Sequence, residues 1–423
     1  MKDTQIKKLI DAEKKRQKKA INLIASENYA SKDVLEALGS ELNNKYSEGY
    51  PGKRYYGGNE IIDKVENLCI ERALKLFGLN GSSTHFSQSD KFARNNSLEA
   101  NWHVNVQALS GSPANLAVYT GLIPQGGKIM GMSLAHGGHL THGHKVSASG
   151  KFWLQVPYGL DAKTEMLNYE ELKNIAQKEK PAIIVAGYTA YPRIIDWKKI
   201  REIADSVVYE DGKKGALMMV DMSHIAGLVA GGVYPSPFEY ADIVTTTTHK
   251  TLRGPRGALI FTRKDERELD KKIDKAVFPG LQGGPHQNQT AGIAIALKEA
   301  STSAFKKYAK QVVKNTAVLA SELSRLGWRV VSGGTDSHLL LLDTWNGGKK
   351  NEKGAGAVSG KEASLKLERK NIIVNMNAIP FDTRLPNDPS GIRLGGAAET
   401  TRGRKEKDFI HIAKSIDNIL REE

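Results

Sequence analysis

Long apolar runs are missing from this chain. No stretch approaches the ~18 residues that a membrane-spanning helix needs, so no membrane partner is expected. Cysteine is nearly missing too: the lone Cys69 excludes an intrachain disulfide and fits a cytoplasmic setting, and it is expected to fill a helix face rather than do chemistry. The first twenty residues lack the apolar core of a signal peptide, and Asp3, Asp11 and Glu13 deny them the acid-poor character of a transit peptide. Internal repeats are absent. Although 61 lysines and arginines outnumber 47 acidic residues for a formal charge of +14, the basic residues are spread along the chain. They form no recognisable nucleic-acid motif and no stripe interleaved with aromatics, so no specific nucleic-acid partner is expected.

What is present suits a globular α/β protein. At 423 residues, with 40% hydrophobic and 26% charged residues, the chain exceeds one ordinary core and suits two domains. Periodicity predicts helices over Lys2–Lys19, Ser31–Asn43 and Glu60–Phe77. Strand-like runs then alternate with helical stretches such as Tyr169–Gln177 and Trp197–Asp205: Ile129–Met132, Ala182–Ala186, Leu217–Val220, Ile243–Thr246 and Ala258–Phe261. A long helical region from Ala291 leads to Trp328–Val331, Leu339–Leu342, Ile372–Val374 and a final helix from Lys405. The expected division is an N-terminal arm at 1–60, a large mixed-sheet domain at 61–290 and a smaller α+β domain at 291–423. The polar, aperiodic segment Asn80–His103 is expected to be an insertion.

Three segments carry chemistry. In the string Thr245 to Gly257, Lys250 sits in a loop with His249, Arg253 and Arg256, just after the strand-like Asp242-Ile243-Val244. A free lysine amine is neutral in only about one molecule in a few thousand at pH 7, so one meant to attack a carbonyl must be desolvated or crowded by cations. The same cations suit a phosphate, and both uses converge on pyridoxal phosphate; a solvated basic loop is the plainer alternative. The apolar run Ala216–Val220 delivers Asp221 and His224 at its carboxyl end, where ligand sites of α/β sheets lie. A carboxylate there suits a protonated pyridine nitrogen, or else an ordinary helix cap. In Ser110-Gly111-Ser112-Pro113, Ser112 and Pro113 read as cap and first helical residue, a phosphate-binding start in suitable company. His136, His139, His142 and His144 invite a metal reading, but the glycines between them argue for a loop without a fixed ligand pair, and no metal is expected.

Together these segments resemble serine hydroxymethyltransferase, from about Ile21 to Arg402. The likeness rests on Leu23–Asn28, Asn44–Gly58, Leu134–Gly143, Val220–Gly227, the lysine string, Ala276–Pro285, Ser332–Asp336 and Ser390–Arg393, all in one order. The resemblance implies a pyridoxal-phosphate-dependent transferase of fold type I, which interconverts serine and glycine with tetrahydrofolate as one-carbon carrier. It implies Lys250 as the internal aldimine lysine, Asp221 against the pyridine nitrogen, His139 stacked on the ring, and His224 and Thr189 near the phenolic oxygen. Ser110, Gly111 and Ser112 are implied at the phosphate beside His249. Arg393 is implied as a carboxylate clamp helped by Ser26 and Tyr56, with Glu48 as the acid/base facing folate. Tyr46, Gly283 and Gly284 are expected to enter from a second subunit of a homodimer, with a tetramer as a further pairing. Tyr55, Leu134, Gly138, Leu140 and Asn377 are implied at the folate, whose anionic polyglutamyl form suits the basic field.

Departures from the family pattern fall on the folate side. Ala108-Leu109 precedes the phosphate loop, Met376 stands between two asparagines, Leu385-Pro386-Asn387 replaces a Ser-Pro-Phe-like segment, and Gly396-Ala397 replaces the usual Thr-Pro. The short tail after Arg402 leaves the family's last helix in doubt. These changes spare the lysine chemistry and leave the identity of the pterin carrier open. The competing readings are an aldolase working on another β-hydroxy amino acid without folate, and a nucleic-acid-binding protein that has lost catalysis.

Overall fold

A computed structural model describes residues 1–79, 101–346 and 358–422; most of the expected insertion lies outside them. Backbone contacts divide the chain into two compact units, Asn28–Lys310 and the pairing of Met1–Glu27 with Gln311–Glu423. The arm expected over 1–60 is therefore shared between the two units. The reason is pairing: β1 (Ile21–Asn22) lies parallel to β13 (Ile372–Ile373) in the smaller unit, and Leu23 O accepts a hydrogen bond from Gly395 N at 2.7 Å.

The larger unit carries the hairpin β2 (Gly49–Tyr50) and β3 (Lys53–Arg54), then β4 (Trp102–Asn105), β5 (Lys128–Met132), β6 (Leu154–Tyr158), β7 (Ile183–Ala186), β8 (Leu217–Asp221), β9 (Ile243–Thr247) and β10 (Ala258–Arg263). The last seven form one mixed sheet in the order β4-β10-β9-β8-β7-β5-β6. Strands β9 to β6 run parallel, whereas β10 is antiparallel to both of its neighbours. The central strands are continuous apolar runs because helices cover both faces. On one face α4 (Gly111–Leu122) and the helix Leu269–Lys275 bury Ala114, Val118 and Ile273 against Ile129, Val185, Met219 and Ile243.

Both strands absent from the sequence expectations, β4 and β6, are the edges of this sheet. Trp102 and His103, assigned above to the insertion, pair with Arg263 and Thr262. Pro157 interrupts β6, which an edge strand tolerates. The single helix expected over Ser31–Asn43 is the shorter α2 (Lys32–Leu38), capped by Gly39, and a separate 3-10 turn covers Glu41–Asn44. In the smaller unit β11 (Arg329–Val330), β12 (Leu339–Asp343), β15 (Gly391–Gly395) and β14 (Asn375–Asn377) form an antiparallel sheet in that order. Its core gathers Leu23, Leu319, Leu342, Leu367, Phe409 and Ile416, the last two from the final helix Glu406–Arg421.

One buried ion pair locks the hairpin. Arg54 donates to Glu66 of α3 (Glu60–Leu76) at 2.7 Å, and the two side chains are 4% and 1% exposed. Glu66 also accepts from Gln107 at 2.8 Å and Gln287 at 3.1 Å, while Arg54 donates to the Ser47 and Gly49 carbonyls. Removing one partner of such a pair costs up to about 3–5 kcal/mol, the lower end here because Arg54 Nε keeps Asp63 Oδ1 at 2.9 Å. Glu66→Leu is expected to lower the free energy of urea unfolding by that amount; a change below about 1 kcal/mol would show that the pair does not hold the hairpin.

Candidate active site

The carboxyl ends of the parallel strands carry the polar cluster. Asp221 closes β8, and its Oδ1 accepts the Ser223 amide at 3.1 Å, which turns the chain sharply towards His224. Gly187, just after β7 at φ +98°, packs so closely that a Cβ there would lie 2.0 Å from the Asp221 carbonyl oxygen. Asp221 Oδ2 accepts from Asn115 Nδ2 at 2.9 Å and from His142 Nε2 at 3.3 Å. Burial by itself would raise the pKa of this carboxyl, but the His142 hydrogen bond and charge, with Lys250 and His139 nearby, outweigh it and hold it well below the carboxylate range. Asp221 therefore stays ionised.

The lysine loop leaves β9 and folds back on itself. Thr248 N donates to Gly257 O at 3.1 Å, Gly254 N donates to Thr248 O at 2.7 Å, and the Lys250 carbonyl accepts from Arg253 N at 3.1 Å and Asn28 Nδ2 at 2.9 Å. Arg253, expected among the cations around the lysine, packs on two aromatic rings. It adopts φ +60°, and its guanidinium lies 4.3 Å from the Tyr308 ring centre and 5.1 Å from that of Phe305. Burial, joined by the charges of Lys250 and Arg256, pushes the His249 imidazole down to about 3.

Helix α4 begins at Gly111 with Ser110 as its cap, two residues earlier than the Ser112 cap expected from the sequence. Pro113 thus falls inside the first turn, where its missing N–H costs nothing. No side chain caps this end, and a Cβ on Gly111 would meet Thr247 Cγ2 at 2.7 Å. Buried Thr247 Oγ1 and His249 Nδ1 have no hydrogen-bond partner. Orphaned buried groups of this kind cost free energy, and the segments that carry them, with the open helix start, suit a phosphate. The donors present therefore fit a phosphorylated pyridine cofactor. Thr189 N donates to Gly137 O at 2.9 Å, His224 is buried with its carbonyl accepting from Thr251 Oγ1 at 3.0 Å, and the His139 ring lies 5.5 Å from that of His142.

A second group assembles on the hairpin and on the segment 276–285. Tyr46 packs edge-on to Tyr56 at 5.1 Å, and Tyr55 edge-on to Phe278 at 5.6 Å. A Cβ on Gly283 would lie 3.1 Å from Glu48 Oε1, and one on Gly284 would lie 3.3 Å from the Tyr46 ring. Glu48, Tyr55, Phe278 and Gly283 line a cavity of about 500 Å³. The three tyrosines, Leu134 and Leu140 are exposed, whereas Gly138 is buried with only 2.0 Å between a Cβ and Met132 O.

In the smaller unit Arg393 lies on β15 between Leu341 of β12 and Asn375 of β14, and its Nε donates to Asn375 Oδ1 at 3.1 Å. Burial brings its pKa down to about 10, so it stays charged at neutral pH. Asn377 shares β14 with the exposed Met376, and the Ala25-Ser26 turn lies against Gly395, where a Cβ would come within 2.4 Å of Ala25 Cα. Sequence reasoning missed Asn115 and Gly187, and met His142 only as a metal candidate.

A family model described as serine hydroxymethyltransferase matches residues 1–416. A protein of Desulfotalea psychrophila named serine hydroxymethyltransferase is 52% identical over 418 residues, covering 99% of this chain and 88% of that protein.

The depressed His249 pKa sets a pH dependence. An unfolded histidine titrates near 6.5, so the stability gained by burying the neutral ring is complete above about that pH and is lost as pH falls towards about 3. After cofactor removal, histidine-selective NMR should show no His249 protonation between pH 8 and 5; a midpoint near 6.5 would contradict the burial argument.

Proposed function

The chain belongs to the serine hydroxymethyltransferase family, and from that premise we propose how its residues divide the work of moving a hydroxymethyl carbon between serine and tetrahydrofolate. The enzyme is a pyridoxal-phosphate-dependent transferase that converts L-serine and tetrahydrofolate to glycine and 5,10-methylenetetrahydrofolate, reversibly. When bound, the cofactor supplies an aldehyde for an amine and a ring that withdraws electrons from the substrate's α carbon.

In this reading Lys250 provides the amine, and Ser110, Gly111, Ser112 and His249 hold the phosphate. Asp221 keeps the pyridine nitrogen protonated, His139 lies against the ring, and Thr189 and His224 approach its phenolic oxygen. Arg393, with Ser26 and Tyr56, grips the amino-acid carboxylate through a charged fork that lysine lacks. Tyr55, Leu134, Gly138, Leu140 and Asn377 receive the folate. The observation that carries the assignment is the Asp221 carboxylate at the strand end, with Asn115 Nδ2 and His142 Nε2 on its Oδ2. Exposure of Tyr46, Tyr55 and Tyr56 supports a homodimer in which Tyr46, Gly283 and Gly284 serve the partner's site. The single cysteine supports a cytoplasmic setting.

Borohydride reduction of the yellow protein, followed by peptide mass mapping, should place the cofactor on Lys250; attachment to another lysine would overturn the assignment.

Glu48 is placed here as the group that exchanges a proton with the substrate hydroxyl, a role typically worth about 100- to 10,000-fold. Glu48→Gln is expected to keep cofactor and amino-acid binding, to lose folate-dependent serine cleavage by that range, and to retain more of its folate-independent cleavage of allo-threonine. Equal loss of both activities would instead make Glu48 a structural residue.

A further inference from the structure

Asn115 is the one side chain of α4 that reaches the carboxylate at the end of β8. It is 1% exposed, and three neighbours surround its amide. One N–H of its Nδ2 points to Asp221 Oδ2 at 2.9 Å and the other to Thr141 Oγ1 at 2.9 Å. Its Oδ1 accepts from Thr245 Oγ1 at 2.8 Å. An amide of this kind has two orientations that differ only in which end donates. Beside an ionised carboxylate, which can only accept, the choice is settled: the nitrogen must face Asp221. The same nitrogen then faces Thr141.

The consequence passes one residue further. Thr141 Oγ1 uses a lone pair to accept from Asn115, and its single proton is left for His139 Nδ1 at 2.7 Å. The Thr141 backbone amide also donates to His139 Nδ1, at 3.2 Å. Two donors on one ring nitrogen require that nitrogen to carry no proton. We propose that Asn115 is a positioning residue that transmits the charge of Asp221 through the Thr141 hydroxyl to His139, and so fixes that ring in the form protonated on Nε2. The charged and titratable groups around this chain are Asp221, His142 and Lys250, and the Thr245 and Thr141 hydroxyls complete it.

The result ties together three elements that the proposed function assigns to the cofactor: the helix behind the phosphate loop, the strand-end carboxylate and the stacking ring. A histidine held neutral against a ring whose nitrogen is protonated avoids placing two like charges face to face. The inference rests on the proposed placement of Asp221 and His139 at that ring.

The test reverses the direction of one hydrogen bond without changing shape. In the holoenzyme at neutral pH, histidine-selective nitrogen NMR should show a pyridine-like Nδ1 and a pyrrole-like Nε2 for His139. Asn115→Asp replaces the donor that faces Thr141 with an acceptor, so the Thr141 proton turns away and the His139 proton should move to Nδ1. In the double variant Thr141→Val with Asn115→Asp, the relay is cut and the wild-type pattern should persist. Cofactor affinity should fall about tenfold or more in Asn115→Asp, the scale of one hydrogen bond to a charged group. The proposal is overturned if wild-type His139 carries its proton on Nδ1, or if Asn115→Asp leaves the pattern untouched while borohydride still marks Lys250. Should Asn115→Asp not fold, the wild-type and Thr141→Val spectra decide the question, since Thr141→Val alone should weaken the Nδ1 hydrogen bond. Loss of Lys250 labelling in the wild type would strike the cofactor site itself, separately from the relay.

Discussion

A carboxylate nearly shut off from water raises the free energy of the fold unless hydrogen bonds and opposite charge replace its hydration, and Asp221 imposes that condition on everything around it. The strand that carries it must end at this residue, so that Ser223 can turn back onto Oδ1. Its neighbour after β7 must be a glycine, because any Cβ would strike the Asp221 carbonyl. Asn115 and His142 must each bring an N–H to Oδ2, and Thr245 must anchor the Asn115 amide from below. Strand order, helix placement and loop turns at this end of the sheet serve one ionised group.

The interior of the sheet was legible because parallel strands covered on both faces are unbroken apolar runs, and Leu217–Val220 and Ile243–Thr246 fall within one residue of the strands that form. The edges were not. Trp102–Asn105 and Leu154–Tyr158 carry polar residues or proline at alternate positions, which an edge strand tolerates, and short polar-apolar text of that kind reads as loop. The same limit misplaced the start of α4: proline favours the first helical position, yet any position in the first turn lacks an N–H partner, so Pro113 does not determine which serine is the cap.

At the site, residues that recur in long strings were readable, and those defined only by three-dimensional neighbours were not. Lys250, Asp221 and Arg393 stand in such strings. Asn115 stands in an ordinary helical stretch, and nothing along the chain announces that its amide meets both Thr141 and Asp221. The surroundings of Arg253 were hidden for a related reason: at a left-handed backbone position its guanidinium packs on Tyr308 and Phe305, which lie some fifty residues further on.

The smaller unit is discontinuous, since Met1–Glu27 completes a core whose other members begin at Gln311. On a ribosome the chain emerges from its amino terminus at about 5–20 residues per second. Leu23 therefore leaves the tunnel long before Phe409 and Ile416, and its apolar side chain waits without its partners while the whole of the larger unit is made. The basic, capped helix of α1 (Thr4–Lys19), with no buried residue and three cations in its last turn, precedes that waiting strand. Like charges of that kind repel one another within about a Debye length, so two such segments brought side by side oppose each other's approach.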